Sequence, residues 1–193
     1  MIRLFVALEL PAVVMDSLGA LCAGIPGARW IEPENMHLTL RFLGEVDEGR
    51  YEDVVEALDG VRVPVFELTL ESFGTFSQGQ VLHRLWVGVK RSEALLQLQG
   101  KIERALVRAD FEPERRRFTP HVSLARLRDA PVDRVGEFMR RHEPFRLPPF
   151  DVEHFALFSS HLSKGNADYQ VEERFSLDGA GYSDFASMGA DDD

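Results

Sequence analysis

His37-Leu38-Thr39-Leu40 and His121-Val122-Ser123-Leu124 are one phrase written twice: histidine, aliphatic, hydroxyl, leucine. Side chains alternate faces along a β-strand. His37 and Thr39 therefore share one face, while Leu38 and Leu40 share the other and seek a core. His121 and Ser123 stand in the same relation to Val122 and Leu124. The pattern predicts two strands that bring two imidazoles and two hydroxyls to one groove. Such a histidine pair can divide general acid and general base work between its members.

The surroundings of the phrase repeat as well. Arg3-Leu4-Phe5-Val6-Ala7 precedes the first copy, and Arg84-Leu85-Trp86-Val87-Gly88 precedes the second. Val65-Phe66-Glu67-Leu68-Thr69-Leu70 follows His37, and Phe150-Asp151-Val152-Glu153-His154-Phe155 follows His121. Phe66 and Phe150 each lie 29 residues beyond their histidine (66 − 37 and 150 − 121). A repeat on this scale governs how single elements are read. Strand signals fall near 2–8, 36–43, 64–72, 80–89, 118–125, 150–158 and 168–177, and helical signals near 11–24, 48–60, 92–109 and 131–142. The expected fold is α+β and bilobal. Each of two similar lobes has an antiparallel-rich sheet with helices outside, and a pseudo-twofold groove runs between them. Residues 1–177 are expected to form one domain with its lobes interleaved in sequence. Residues 178–193, rich in Gly, Ala and Ser and ending in three aspartates, are expected to be a disordered tail.

Composition narrows the function. A chain of 193 residues, 45% hydrophobic, is large enough to bury a sizeable core. No apolar run is long enough to cross a bilayer, and Met1-Ile2-Arg3-Leu4-Phe5 leads into no small-residue cleavage region. Cys22 is the only cysteine, which excludes an internal disulfide and a cysteine zinc cage. A cytoplasmic monomer is expected. The net charge of −10 argues against wrapping long nucleic acid. Residues 101–128 nevertheless hold eight Lys/Arg and four acids, a local +4 that leaves −14 on the remainder. Arg115, Arg116 and Arg117 in that stretch are candidates for an RNA-facing rim.

Two histidines titrating near neutrality can open a phosphate ester. One, neutral, takes a proton from water; the other, protonated, gives one to the leaving oxygen. The hydroxyl beside each can donate to a non-bridging phosphate oxygen as charge shifts in the transition state. Neither motif has a carboxylate at metal-ligand spacing, so no metal or other cofactor is implied. His83, His142, His154 and His161 lie outside the repeated phrase and are read as surface or satisfied core residues. Phe73, Phe118, Phe155 and Phe158 are read as mostly core. Phe76, in the Gly74-Thr75-Phe76-Ser77 loop, is the first candidate to stack on a terminal base.

Met36-His37-Leu38-Thr39-Leu40-Arg41-Phe42-Leu43-Gly44 and Pro120-His121-Val122-Ser123-Leu124-Ala125-Arg126 resemble the paired signatures of the two-histidine (2H) phosphoesterases. More narrowly they resemble the LigT-like RNA 2′,3′-cyclic phosphodiesterases, also called 2′-5′ RNA ligases. Arg3 to Ala7, Trp30, Asn35 and Tyr169 add to the likeness, which covers about residues 1–177. The resemblance implies a metal-free hydrolysis of RNA 3′ ends bearing a 2′,3′-cyclic phosphate to a 2′-phosphate, with reverse 2′-5′ ligation. It implies catalytic roles for His37 and His121 and phosphate-binding roles for Thr39, Ser123 and Arg126. Because the 3′ oxygen leaves, His37 is expected as its acid and His121 as the base for water. Arg126 has the opposite strand parity to His121 and reaches the groove only if the strand ends or bulges there. Two other readings stay open. One is a nucleotide-binding module without turnover; the other is an enzyme of small cyclic nucleotides or ADP-ribose cyclic phosphate. The RNA substrate itself ranges from tRNA fragments to small nucleotides.

Overall fold

The computed structural model describes residues 1–163 and 166–178. The strands are β1 (Ile2–Glu9), β2 (Ala28–Trp30), β3 (His37–Val46), β4 (Phe66–Leu68), β5 (Leu70–Gln78), β6 (Val81–Val89), β7 (His121–Leu127), β8 (Phe150–Val152), β9 (His154–Ser163) and β10 (Asn166–Ser176). The helices are α1 (Ala12–Gly19), α2 (Tyr51–Asp59), α3 (Glu93–Arg108) and α4 (Val132–His142). All strand pairs are antiparallel apart from an isolated bridge between Pro64 and Asp178.

The main sheet runs β10-β9-β1-β3-β7-β6-β5, with β2 also on β7. It is two sheets joined edge to edge. β3 and β7 meet at a single residue pair, Leu38 with Val122. On either side of this seam the order repeats: β3-β1-β9 in one lobe matches β7-β6-β5 in the other. The short ribbon β4–β8 pairs the two equivalent strands that begin at Phe66 and Phe150. The expected 29-residue spacing thus marks corresponding elements.

One face of the sheet is covered by helices. α2 and α3 pack on each other, α3 against β3 and α2 against β10. On α4, Phe138 meets Trp30 and Phe73 with ring centroids 5.7 and 5.6 Å apart. The large core lies on this face and takes buried residues from both lobes, including Leu38, Leu40, Val122 and Leu124. Removing each such side chain from water contributes roughly 1.5–3 kcal/mol. The opposite face is the groove. It carries a small separate apolar cluster of Phe5, Ala7, Ala156 and Phe158 with Tyr169 and Val171.

Several boundaries differ from the sequence reading. The strand expected near 64–72 divides at Thr69 into β4 and β5, and β5 continues to Gln78. Phe76 therefore stands on a strand, not in a loop. Paired with Arg84 of β6, it is held by the ladder. The helix expected over 11–24 stops at Gly19, where Pro33 comes so close that an added Cβ would lie 2.8 Å from its ring. Cys22 follows in a turn, half-buried, its thiol reaching the Leu18 carbonyl at 3.4 Å. The three-residue β2 carries too short a pattern to be read from sequence. Asp178, placed in the tail by sequence, is held: its N–H donates to Val63 at 3.0 Å and its carbonyl accepts from Val65 at 3.1 Å. Residues 179–193 lie outside the described residues. Among the described residues no helix is long and apolar enough to cross a membrane.

Candidate active site

The seam fixes the histidines. Leu38 and Val122 are fully buried on the core side, so their neighbours His37, Thr39, His121 and Ser123 project from the groove face of adjacent strands. In each motif the residue after the hydroxyl forms a bulge. Ala7 pairs with Thr39 and Val6 with Arg41, leaving Leu40 extra. Trp86 pairs with Ser123 and Leu85 with Ala125, leaving Leu124 extra. A bulge reverses the strand parity beyond it. Leu124, Ala125 and Leu127 are consequently buried while Arg126 is exposed on the face of His121. The same bulge in β3 buries Arg41 and turns Phe42 outward, 58% exposed. Arg126 and Phe42 occupy equivalent positions in the two lobes.

Both imidazoles are pinned alike. Nδ1 of His37 lies 2.9 Å from the Asn35 carbonyl, and Nδ1 of His121 lies 2.7 Å from the Thr119 carbonyl. A carbonyl can only accept, so each Nδ1 carries the hydrogen. Each neutral ring then presents Nε2 as a free base away from the strand. Burial pushes His37 down from the ordinary 6.5 to about 4; the Asn35 carbonyl opposes this, and the nearby charges of His121 and Arg84 add to it. Its burial is aromatic. Phe5 lies at 4.9 Å, Tyr169 edge-on at 5.0 Å and Phe158 at 5.9 Å between ring centroids. Burial also lowers His121, opposed by the Thr119 carbonyl and aided by Arg84. Phe76 stands edge-on to His121 at 4.8 Å, with Trp86 at 5.8 Å. A buried apolar setting disfavours imidazolium at both rings.

A cleft of about 470 Å³ takes in Thr39, His121 and Phe76, with Phe42, Phe118, Arg116 and Arg117 at its walls. Arg115 is exposed and is not among the lining residues. His37, Ser123 and Arg126 are not part of this cleft either. They lie along the groove's other half, where His37 is still close enough for the charge of His121 to lower its pKa. The loop bearing Arg115 to Arg117 is braced from behind. Arg41 pairs with Glu103 at 2.5 Å and also bonds the Glu112 carbonyl, and Glu103 accepts from the Glu114 N–H at 2.8 Å.

Arg84 is the site residue that sequence reasoning missed. The repeat as read from sequence sets Arg84 against Arg3. The ladders set it against Phe5, because Phe5 pairs with Phe42 as Arg84 pairs with Arg126. Half-buried, it donates from Nη1 to the Ser123 hydroxyl at 3.2 Å. Its parity with Trp86, beside the hydroxyl of the motif, was the signal in the sequence. The four other histidines lie away from the repeated motifs and, His83 apart, have partners of their own. His142 bonds the Phe138 carbonyl, His154 bonds Glu9, His161 bonds Ser159, and His83 is exposed.

This chain is similar to several known proteins. A family model described as LigT like phosphoesterase matches residues 8–83 and 87–168. An RNA 2′,3′-cyclic phosphodiesterase of Thermotoga maritima is 34% identical over 149 residues, covering 75% of this chain and 77% of that protein. The protein of the same description from Escherichia coli K12 is 30% identical over 186 residues, covering 91% and 96%. A crystal structure of E. coli LigT complexed with 3′-AMP superposes with a TM-score of 0.72 at 28% identity, over 91% of this chain and 98% of that one.

Proposed function

This chain belongs to the LigT-like phosphoesterase family, and from that premise we propose that it hydrolyses 2′,3′-cyclic phosphate ends of RNA to 2′-phosphates with its two histidines. The observation that carries the reading is the matched pinning of His37 and His121. Both Nδ1 atoms are bound to a carbonyl two residues upstream, on strands that touch at a single pair. The reacting phosphate lies between the two Nε2 atoms, with the Thr39 and Ser123 hydroxyls and Arg126 on its free oxygens. One Nε2 takes a proton from water as the water oxygen bonds to phosphorus. The P–O3′ bond breaks, and the other Nε2 gives its proton to O3′. The product is a 2′-phosphomonoester beside a free 3′ hydroxyl. With an RNA 5′ hydroxyl in place of water the same groups would open the ring to a 2′-5′ phosphodiester: the 5′ oxygen bonds to phosphorus, its proton goes to one Nε2, the P–O3′ bond breaks and O3′ is protonated by the other.

Burial biases both rings towards the neutral form. The arriving phosphate anion offsets that bias and recruits the acid's proton. Which ring becomes the acid follows from which ester oxygen its Nε2 faces. The test is a short RNA ending in 2′,3′-cyclic phosphate, incubated with EDTA, with the product identified. A 2′-phosphate is expected. His37→Ala and His121→Ala should each lower the rate by roughly 10²–10⁴-fold. Full activity in either variant, or loss of activity to EDTA, overturns the proposal.

A further inference from the structure

The two motif hydroxyls occupy equivalent positions but are held by different means. In the first lobe the cross-strand row next to Thr39 runs Phe158–Phe5–Phe42. In the second lobe the row next to Ser123 runs Phe76–Arg84–Arg126. Arg84 thus stands where the other lobe has Phe5. A phenyl ring has no hydrogen to donate to Thr39. The half-buried Arg84 does donate, from Nη1 to the Ser123 hydroxyl at 3.2 Å. Among the described residues, no carboxylate oxygen lies within 4.0 Å of Arg84. No ion pair therefore draws its guanidinium away from Ser123.

The difference matches the two side chains. Threonine is branched at Cβ, and the extra methyl stiffens χ1. Serine lacks that methyl, so its hydroxyl can sit in any of three staggered wells. A hydroxyl has one hydrogen to give and two lone pairs to accept with, whereas a guanidinium only donates. The Nη1–H of Arg84 occupies a lone pair of Ser123, selects the well that faces it, and leaves the hydroxyl hydrogen unspent. A charged donor on the oxygen also polarises the O–H bond and makes it the stronger donor in turn. Arg126, on the far side of this row, is exposed in the groove and reaches phosphate without an intermediary.

We infer that Arg84 is a positioning residue: it fixes the Ser123 hydroxyl and directs that hydroxyl's hydrogen to the reacting phosphate, as the β-branch of Thr39 holds its own hydroxyl in the other lobe. The inference rests on the reading of Ser123 as a phosphate ligand given above. Its consequence is that Arg84 and the residue at position 123 act as a unit. The need for the arginine depends on whether that residue is serine, threonine or alanine.

The experiment measures kcat and KM on a short RNA ending in 2′,3′-cyclic phosphate. Arg84→Met is made in the parent, in Ser123→Thr and in Ser123→Ala. In the parent it should lower kcat roughly tenfold or more, the scale of a hydrogen bond to a charged group. With threonine at 123 the loss should be distinctly smaller, because the branch restores the rotamer. With alanine at 123 no further loss is expected, because no hydroxyl is left to direct. Contacting pairs show such non-additivity; independent ones do not. An equal loss in all three backgrounds overturns the inference and would assign Arg84 to the phosphate itself. No loss in the parent overturns it as well. Should Arg84→Met fail to fold, Arg84→Lys, a cation without the fixed fork, decides by the same comparison. If the parent opens no cyclic phosphate, the functional reading fails. Calorimetric affinities for inorganic phosphate across the same variants then still show whether Arg84 acts through Ser123.

Discussion

His37 lies under Phe5, Phe158 and Tyr169, and that apolar contact sets its titration. The sign of the consequence can be worked out. Turnover needs one ring neutral and one charged, and that form is most populated between the two pKa values. Burial depresses both below 6.5, His37 to about 4. The kcat/KM profile, which reports the free enzyme, should be bell-shaped with its maximum below pH 6.5. A bound phosphate anion stabilises imidazolium, so the kcat profile should lie at higher pH. Steady-state rates across pH 4–9 check both statements, and a kcat/KM maximum above 6.5 would contradict the desolvation argument. Phe5 supplies part of that desolvation. Phe5→Ala should move the acid limb of kcat/KM upward, and the same measurement reads it.

At the scale of elements, the bulges do the positioning. Strict alternation along β7 would send Arg126 into the core beside Leu124; the extra residue turns it into the groove instead. The neighbouring pair shows how tightly the second lobe is fitted. Gly74 of β5 faces Trp86 of β6, and a Cβ added there would lie 2.1 Å from the indole ring. The equivalent pair in the first lobe, Ala156 with Ala7, is small on both sides. Gly74→Ala must displace Trp86, which lies against both Phe76 and His121. Overpacking of this kind typically costs 1–3 kcal/mol. A lower melting temperature is expected, together with a drop in kcat from the disturbed His121. A variant that melts and turns over like the parent would show that the indole can move freely.

For the molecule as a whole, charge is distributed for short anions. The −14 remainder repels a long polyanion, while the +4 stretch of 101–128 surrounds the second histidine. Arg116 and Arg117 line the cleft, and Arg115 does not. The double change Arg116→Gln with Arg117→Gln should raise KM for an RNA end and flatten its salt dependence, since each phosphate contact contributes a slope of about 0.7 on single strands. Arg115→Gln should leave both nearer the parent. Equal effects from Arg115 and from the pair would place the basic rim outside the cleft. KM measured between 50 and 200 mM salt reads the difference.

The repeated phrase alone determined the two-lobed α+β plan, the strands bearing His37 and His121, and the shared face of histidine and hydroxyl. Those follow from a local rule, the period of two along a strand, and from equal spacings to Phe66 and Phe150. The seam at Leu38–Val122, the groove position of Arg126 and the partnership of Arg84 with Ser123 were decided by the tertiary structure. Each depends on register between strands far apart in the chain. One extra residue at Leu40 or Leu124 reverses which side chains meet the groove, and nothing in the local pattern of either strand announces it. The depression of His37 is non-local for the same reason. The rings that dry it come from β1, β9 and β10, and sequence spacing carries no record of what packs across a sheet.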